Sequence, residues 1–193
     1  MPFYQKRGTI PPKRHTIFEN PNGGIHYEEL ISREGFSDIF SNVYHLRMPT
    51  RVADVGEFVE QPIQELKDKH RNRHIRTNEI KTLGDAFLGR VLLFFNSDLK
   101  IYKVHINKPM DYLYRNGHHD ELIYIQKGKG RFKSNFGTMD LVEGDYLVIP
   151  RGVIWKFEFE ENVHALITES FAPIRTPKRY RNKHGQHLEH SPF

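Results

Sequence analysis

The 193-residue chain contains no cysteine. That excludes a disulfide scaffold, thiolate metal sites and a cysteine nucleophile, and it suits a reducing compartment. No apolar run approaches the roughly 18 residues of a membrane span. The opening, MPFYQKRGTIPPKRH, is basic but lacks the apolar core of a signal peptide. These absences predict a cytoplasmic protein with no membrane partner. No phosphate loop, nucleotide fingerprint or Ser-His-Asp ordering is found. Charge of one sign is barely in excess: 29 Lys and Arg against 24 Asp and Glu leave +5. Such a balance favours anionic ligands without selecting nucleic acid. Internal repeats and low-complexity tracts are also missing, and the length suits one buried domain with extensions.

What the chain does have is concentrated between Tyr114 and Phe159. Glu121 opens an alternating run, ELIYIQ, with Leu122 and Tyr124 on one face and Ile123 and Ile125 on the other, which is a strand pattern. Gly128 and Gly130, Gly144-Asp145 and Pro150-Arg151-Gly152 punctuate turns. Trp155, Phe157 and Phe159 then alternate with Lys156 and Glu158, placing three aromatics on one sheet face. Arg90 to Asn96 reads as a buried strand. Lys100 to Ile106 reads as an alternating strand with Tyr102, Val104 and Ile106 on one side, and Ala165 to Thr168 and Ile39 to Leu46 as two more. Short strands with turn signals between them predict a mainly β jelly roll or small barrel.

The spacing is more specific. Glu121, six residues and Gly128, then Gly144, five residues, Pro150, one residue and Gly152, resemble the two motifs of the cupin superfamily. In metal-binding cupins three histidines accompany that Glu; their places fall here on Tyr114, Asn116 and Trp155. A divalent metal needs three or four lone-pair ligands, and an indole offers none. The resemblance therefore implies a cupin barrel without its metal site. A sharper likeness covers nearly the whole chain. Gly8-Thr9-Ile10-Pro11, Glu34-Gly35-Phe36-Ser37, Tyr44-His45-Leu46, Pro109-Met110-Asp111-Tyr112, Tyr114-Arg115-Asn116-Gly117, Pro177-Lys178-Arg179-Tyr180-Arg181-Asn182 and Leu188-Glu189-His190-Ser191-Pro192-Phe193 resemble the N-terminal part of bacterial homogentisate 1,2-dioxygenases.

By that resemblance the parent enzyme opens the ring of homogentisate with O₂ to give maleylacetoacetate, in phenylalanine and tyrosine breakdown. Members are roughly twice this length, and two His and one Glu of their second half hold Fe(II). The resemblance thus implies a non-metal half whose partners are a C-terminal cupin half, an aromatic acid substrate and further copies in a homo-oligomer. This chain alone is expected to hold no Fe(II) and to carry no metal- or cofactor-binding residue, and the resemblance leaves its catalytic residues unknown. The alternative is a stand-alone metal-free cupin that binds a small molecule or serves assembly.

Four regions are expected: residues 1–50 as an arm with first strands, 51–89 as a polar and basic connection, 90–170 as the barrel core, and 171–193 as a tail. Met1 to Gly24 holds four prolines and three glycines, the composition of an irregular arm packed across a domain. Pro62 to Leu66 could start a short helix. Lys69, Arg71 and Arg73 would share one strand face. They could track phosphates, but no aromatic is interleaved to stack bases, and a solvated or edge-protecting face is the simpler reading. Among ligand candidates, His118, His119, Asp120 and Glu121 adjoin, but on a strand only His119 and Glu121 could share a face. His15 reads as a surface histidine, and His184, His187 and His190 as an exposed tail, since Gly185 weakens a helix.

Overall fold

The structure is a computed structural model that describes residues 17–37, 40–69, 71–175, 177–182, 186–189 and 191. Its strands in chain order are β1 (Tyr27–Ser32), β2 (Phe40–His45), β3 (Val91–Phe95), β4 (Leu99–Ile106), β5 (Tyr114–Arg115), β6 (Asp120–Lys127), β7 (Gly130–Ser134), β8 (Gly137–Leu141), β9 (Tyr146–Ile149), β10 (Ile154–Phe159) and β11 (Val163–Ser170). Strands β1 and β2 form a separate hairpin. The rest make a four-stranded sheet, β5-β10-β7-β8, and a five-stranded sheet, β3-β4-β11-β6-β9. All pairings between named strands are antiparallel. One apolar core lies between the two larger sheets: Val104, Ile123, Ile125 and Ile167 from one meet Phe132, Trp155 and Phe157 from the other. The mainly β, cupin-type jelly roll is the fold.

The alternation read from the sequence decides which side chains face that core. In β6 the buried set that alternates is Glu121, Ile123 and Ile125, with Asp120 also buried at the strand's start; in β10 it is Trp155 and Phe157; in β11 it is Val163, Ala165, Ile167 and Glu169. Each fully buried isoleucine is worth about 1.5–3 kcal/mol of transfer free energy. Turn glycines sit where the sequence put them. Gly128, Gly144 and Gly152 have φ of 88°, 91° and 86°, which a side chain would strain.

Three expectations are corrected. Pro62 to Leu66 forms no helix; the described helical residues are one 3-10 turn, Thr77–Glu79. A five-residue run cannot repay helix nucleation without a face to pack, and Ile63 and Leu66 are exposed. Lys69, Arg71 and Arg73 lie on no strand, and Arg71 and Arg73 instead share Asp68 at 3.3 and 3.4 Å. The run after Arg90 is an edge strand, β3, with Val91, Phe94 and Phe95 exposed rather than buried. His15, Ile39, His70, His184 and His190 lie outside the described residues. His187 sits in an isolated bridge with Arg181.

Candidate functional site

The cupin motif positions converge at one end of the barrel. Tyr114 and Trp155 are directly paired across β5 and β10, with rings edge to face at 5.4 Å. Glu121 enters from β6 on the opposite sheet and is in register with Glu169 of β11. Both carboxylates are buried. Between the sheets lies the guanidinium of Arg90, itself almost wholly out of water. Its Nη1 donates to Glu121 Oε1 at 2.7 Å and to Glu169 Oε1 at 3.0 Å, while Trp155 Nε1 donates to Glu121 Oε2 at 3.2 Å. Tyr102 O–H donates to Glu169 Oε2 at 3.3 Å.

A short plug delivers Arg90. Residues Gly84-Asp85-Ala86-Phe87-Leu88-Gly89 fold back on themselves, Gly89 N–H donating to Asp85 C=O at 3.1 Å. The Asp85 carboxylate caps the Phe87 and Leu88 N–H groups and accepts from Tyr112 O–H at 2.9 Å. Backbone meets backbone inside the plug: a Cβ on Gly84 would stand 2.6 Å from Gly89 Cα. Arg90 Nε donates to Ala86 C=O at 2.9 Å, which aims the side chain inward. The rings of Phe87, Tyr102 and Tyr114 then surround its Cζ at 5.3, 5.9 and 5.6 Å, within cation–π range. Arg90 Nη2 is buried with no hydrogen-bond partner.

The electrostatics follow from this enclosure. Burial alone pushes the guanidinium down, but Glu121, Tyr114 and Glu169 outweigh it and hold Arg90 above its ordinary value. Burial pushes the Tyr102 and Tyr114 phenols up, and the carboxylates add to the shift, so both stay protonated. His119 stands 4.0 Å from Glu169 through Nδ1; burial lowers its pKa against the pull of that carboxylate. Asn116 Oδ1 accepts from His118 N–H at 3.0 Å and His119 N–H at 2.9 Å.

This donor set does not fit a divalent metal. The two Glu121 oxygens already accept from Arg90 and Trp155, Tyr114 is held protonated, and the Asn116 carbonyl serves a loop. The adjacent acids also part company. Asp120 points out of the barrel, where it accepts from Arg151 N–H at 3.0 Å and Ile174 N–H at 2.9 Å and pairs with Arg33 at 3.2 Å. His119 and Glu121 do approach the same residue, Glu169, as their shared parity requires, whereas His118 is exposed. Elsewhere a cavity of about 400 Å³ borders Lys129, Arg131, Asp140 and Glu158. Its charges answer one another, Arg131 with Asp140 at 2.9 Å and Lys129 with Glu160 at 3.2 Å.

Sequence reasoning missed Arg90, Glu169, Tyr102 and Phe87. For Glu169 the signal was present: the parity of Val163, Ala165 and Ile167 continues to it. For Arg90 only the two glycines framing the plug hinted at a special loop.

Residues 87–179 match the family model described as "Homogentisate 1,2-dioxygenase N-terminal". A curated protein of Saccharolobus solfataricus, "Putative dioxygenase SSO1533", is 39% identical over 193 residues, 99% of this chain and 50% of its own length. The chain thus spans about half the length of that relative. Among solved structures, an RmlC-like cupin from Shewanella frigidimarina is 19% identical at a TM-score of 0.43, covering 53% of this chain and 93% of its own. A cupin protein from Bacteroides fragilis is 16% identical at 0.42, covering 58% and 92%. Over residues 87–179, which hold Arg90, Glu121, Trp155 and Glu169, the chain is similar to the homogentisate 1,2-dioxygenase N-terminal family.

Proposed function

We propose that this chain acts as the iron-free half of a dioxygenase that opens the ring of homogentisate with O₂. The observation that carries the reading is the 39% identity over 99% of the chain to half of a dioxygenase-named relative. Ferrous iron would be held by the other half, because the donors at Tyr114, Asn116, Glu121 and Trp155 are committed elsewhere. The role left to this half is to bury surface against the other half and to build the assembly.

Exposed apolar groups support that role. Among the described residues, the backbone between Val52 and Leu66 makes no hydrogen bond to another part of the chain, while Val55, Phe58 and Val59 stand open, Phe58 at 91% exposure. Edge strand β3 adds Phe94 and Phe95. An open strand edge carrying exposed aromatics is a surface that native chains cover. In this reading a C-terminal cupin half and further copies of the chain cover them.

The test is O₂ uptake with homogentisate, using anaerobically iron-loaded protein. The chain alone is expected to consume none, and co-expression with the second half of a relative is expected to restore substrate-dependent uptake. Uptake by the chain alone, or none from the pair when both halves are folded and associated, would overturn the proposal. The second outcome would favour an assembly module, which the committed donor set also allows.

A further inference from the structure

Three of the positions that frame a metal in a metal-holding cupin surround an arginine here. Glu121 takes the Arg90 guanidinium at 2.7 Å, Tyr114 lays its ring 5.6 Å from Cζ, and Trp155 donates to the free oxygen of the same carboxylate. We infer that Arg90 is the resident cation of this barrel and stands, covalently tethered, in the place the motif frames for a divalent ion.

Charge makes the case first. Glu121 and Glu169 are opposite each other on neighbouring strands and both are buried. Buried carboxylates call for a paired cation, and here one lies between the two. Arginine is the one side chain that cannot escape burial by losing its proton. A single nitrogen, Nη1, serves both carboxylates, at 2.7 and 3.0 Å, as one metal ion would bridge two acidic ligands. Lys100, 4.0 Å from Glu169 and partly exposed, supplies the second positive charge.

Construction makes the case next. The aromatic faces of Phe87, Tyr102 and Tyr114 suit a weakly hydrated planar cation and offer nothing to a hard ion that wants oxygen or nitrogen. The plug tied at Asp85 and Ala86 holds Arg90 where its guanidinium reaches both carboxylates. The tryptophan at the third histidine position is then a donor that finishes the carboxylate rather than a failed ligand. Cation and ligands have changed together, and the site excludes metal by being filled.

The test removes the tether and keeps the site. In Arg90→Ala, methylguanidinium should raise the melting temperature progressively over an equal concentration of sodium chloride. The wild type should show no such rise, and Arg90→Ala/Glu121→Gln, which keeps only the Glu169 carboxylate, should show a smaller one. No rise in Arg90→Ala, or an equal rise in the double variant, overturns the inference. Should Arg90→Ala not fold, the intact chain decides. After anaerobic equilibration with Mn(II) or Fe(II) and gel filtration, wild type and Glu121→Gln should retain the same trace of metal. One equivalent in the wild type that Glu121→Gln loses would mean the place is a metal site after all.

Discussion

Arg90 and Glu121, 31 residues apart in sequence, meet through a 2.7 Å hydrogen bond inside the barrel, both side chains almost entirely dry. Taking one partner from a buried ion pair strands the other, at a cost of about 3–5 kcal/mol. Arg90→Met is therefore expected to lose about that much stability, since it strands Glu121 and Glu169 together. Adding Glu121→Gln should recover part of the loss. Urea unfolding of the single and double variants checks this, and strict additivity would contradict the coupling.

Asp120 fastens the hairpin and the region after β11 to the barrel. It accepts from two backbone N–H groups, of Arg151 and Ile174, and pairs with Arg33, which also donates to Ile174 C=O at 3.3 Å. Asp120→Ala leaves both N–H groups without their acceptor, at about 1–3 kcal/mol each. The expected outcome is a loss of about 2–5 kcal/mol, together with faster amide exchange around Ile174. Unchanged exchange there would show that Asp120 is no fastener.

Gly84 and Gly89 let the plug close. A methyl group at Gly84 would meet Gly89 Cα at 2.6 Å, with backbone on both sides and nothing flexible to yield. Gly84→Ala should cost about 1–3 kcal/mol, as overpacking typically does, and should loosen the aim of Arg90. A denaturation midpoint equal to that of the wild type would contradict the close approach.

Much of this was readable beforehand, and the reasons separate cleanly. The strands in β6 and β10 announced themselves because alternation is a local property, written in adjacent residues. The cupin positions Tyr114, Asn116, Glu121 and Trp155 were readable because their spacing is fixed by short turns. Arg90 was not, because its two carboxylate partners lie 31 and 79 residues further along the chain. Glu169 was passed over because a charge at the end of an apolar strand looks like the strand's exit. The reading of β3 as buried failed for a different reason. VLLFF is apolar enough for a central strand, and only the sheet order puts it at an edge.

His105 and His164 stack at 4.0 Å across β4 and β11, beside fully buried Lys103, whose Nζ donates to Gln126. Burial pushes both imidazoles below their ordinary value of 6.5. The charges of His164 and Lys103 push His105 further, and those of Lys103 and Lys127 push His164 further. The folded chain thus prefers them neutral. The stability they contribute is complete above 6.5 and is lost as pH falls through the lower folded values. The melting temperature should drop between about pH 7 and about pH 5, and less steeply in His105→Gln/His164→Gln. A residual slope is expected because burial also lowers His119. An identical slope in wild type and double variant would contradict the assignment.

The most direct measurement is an anomalous difference map at the iron edge, from crystals of the wild-type chain equilibrated anaerobically with Fe(II). The account predicts no peak within bonding distance of Glu121, with the Arg90 guanidinium resting between Glu121, Glu169 and the rings of Phe87, Tyr102 and Tyr114. An iron peak on Glu121, with Arg90 swung away, would contradict it.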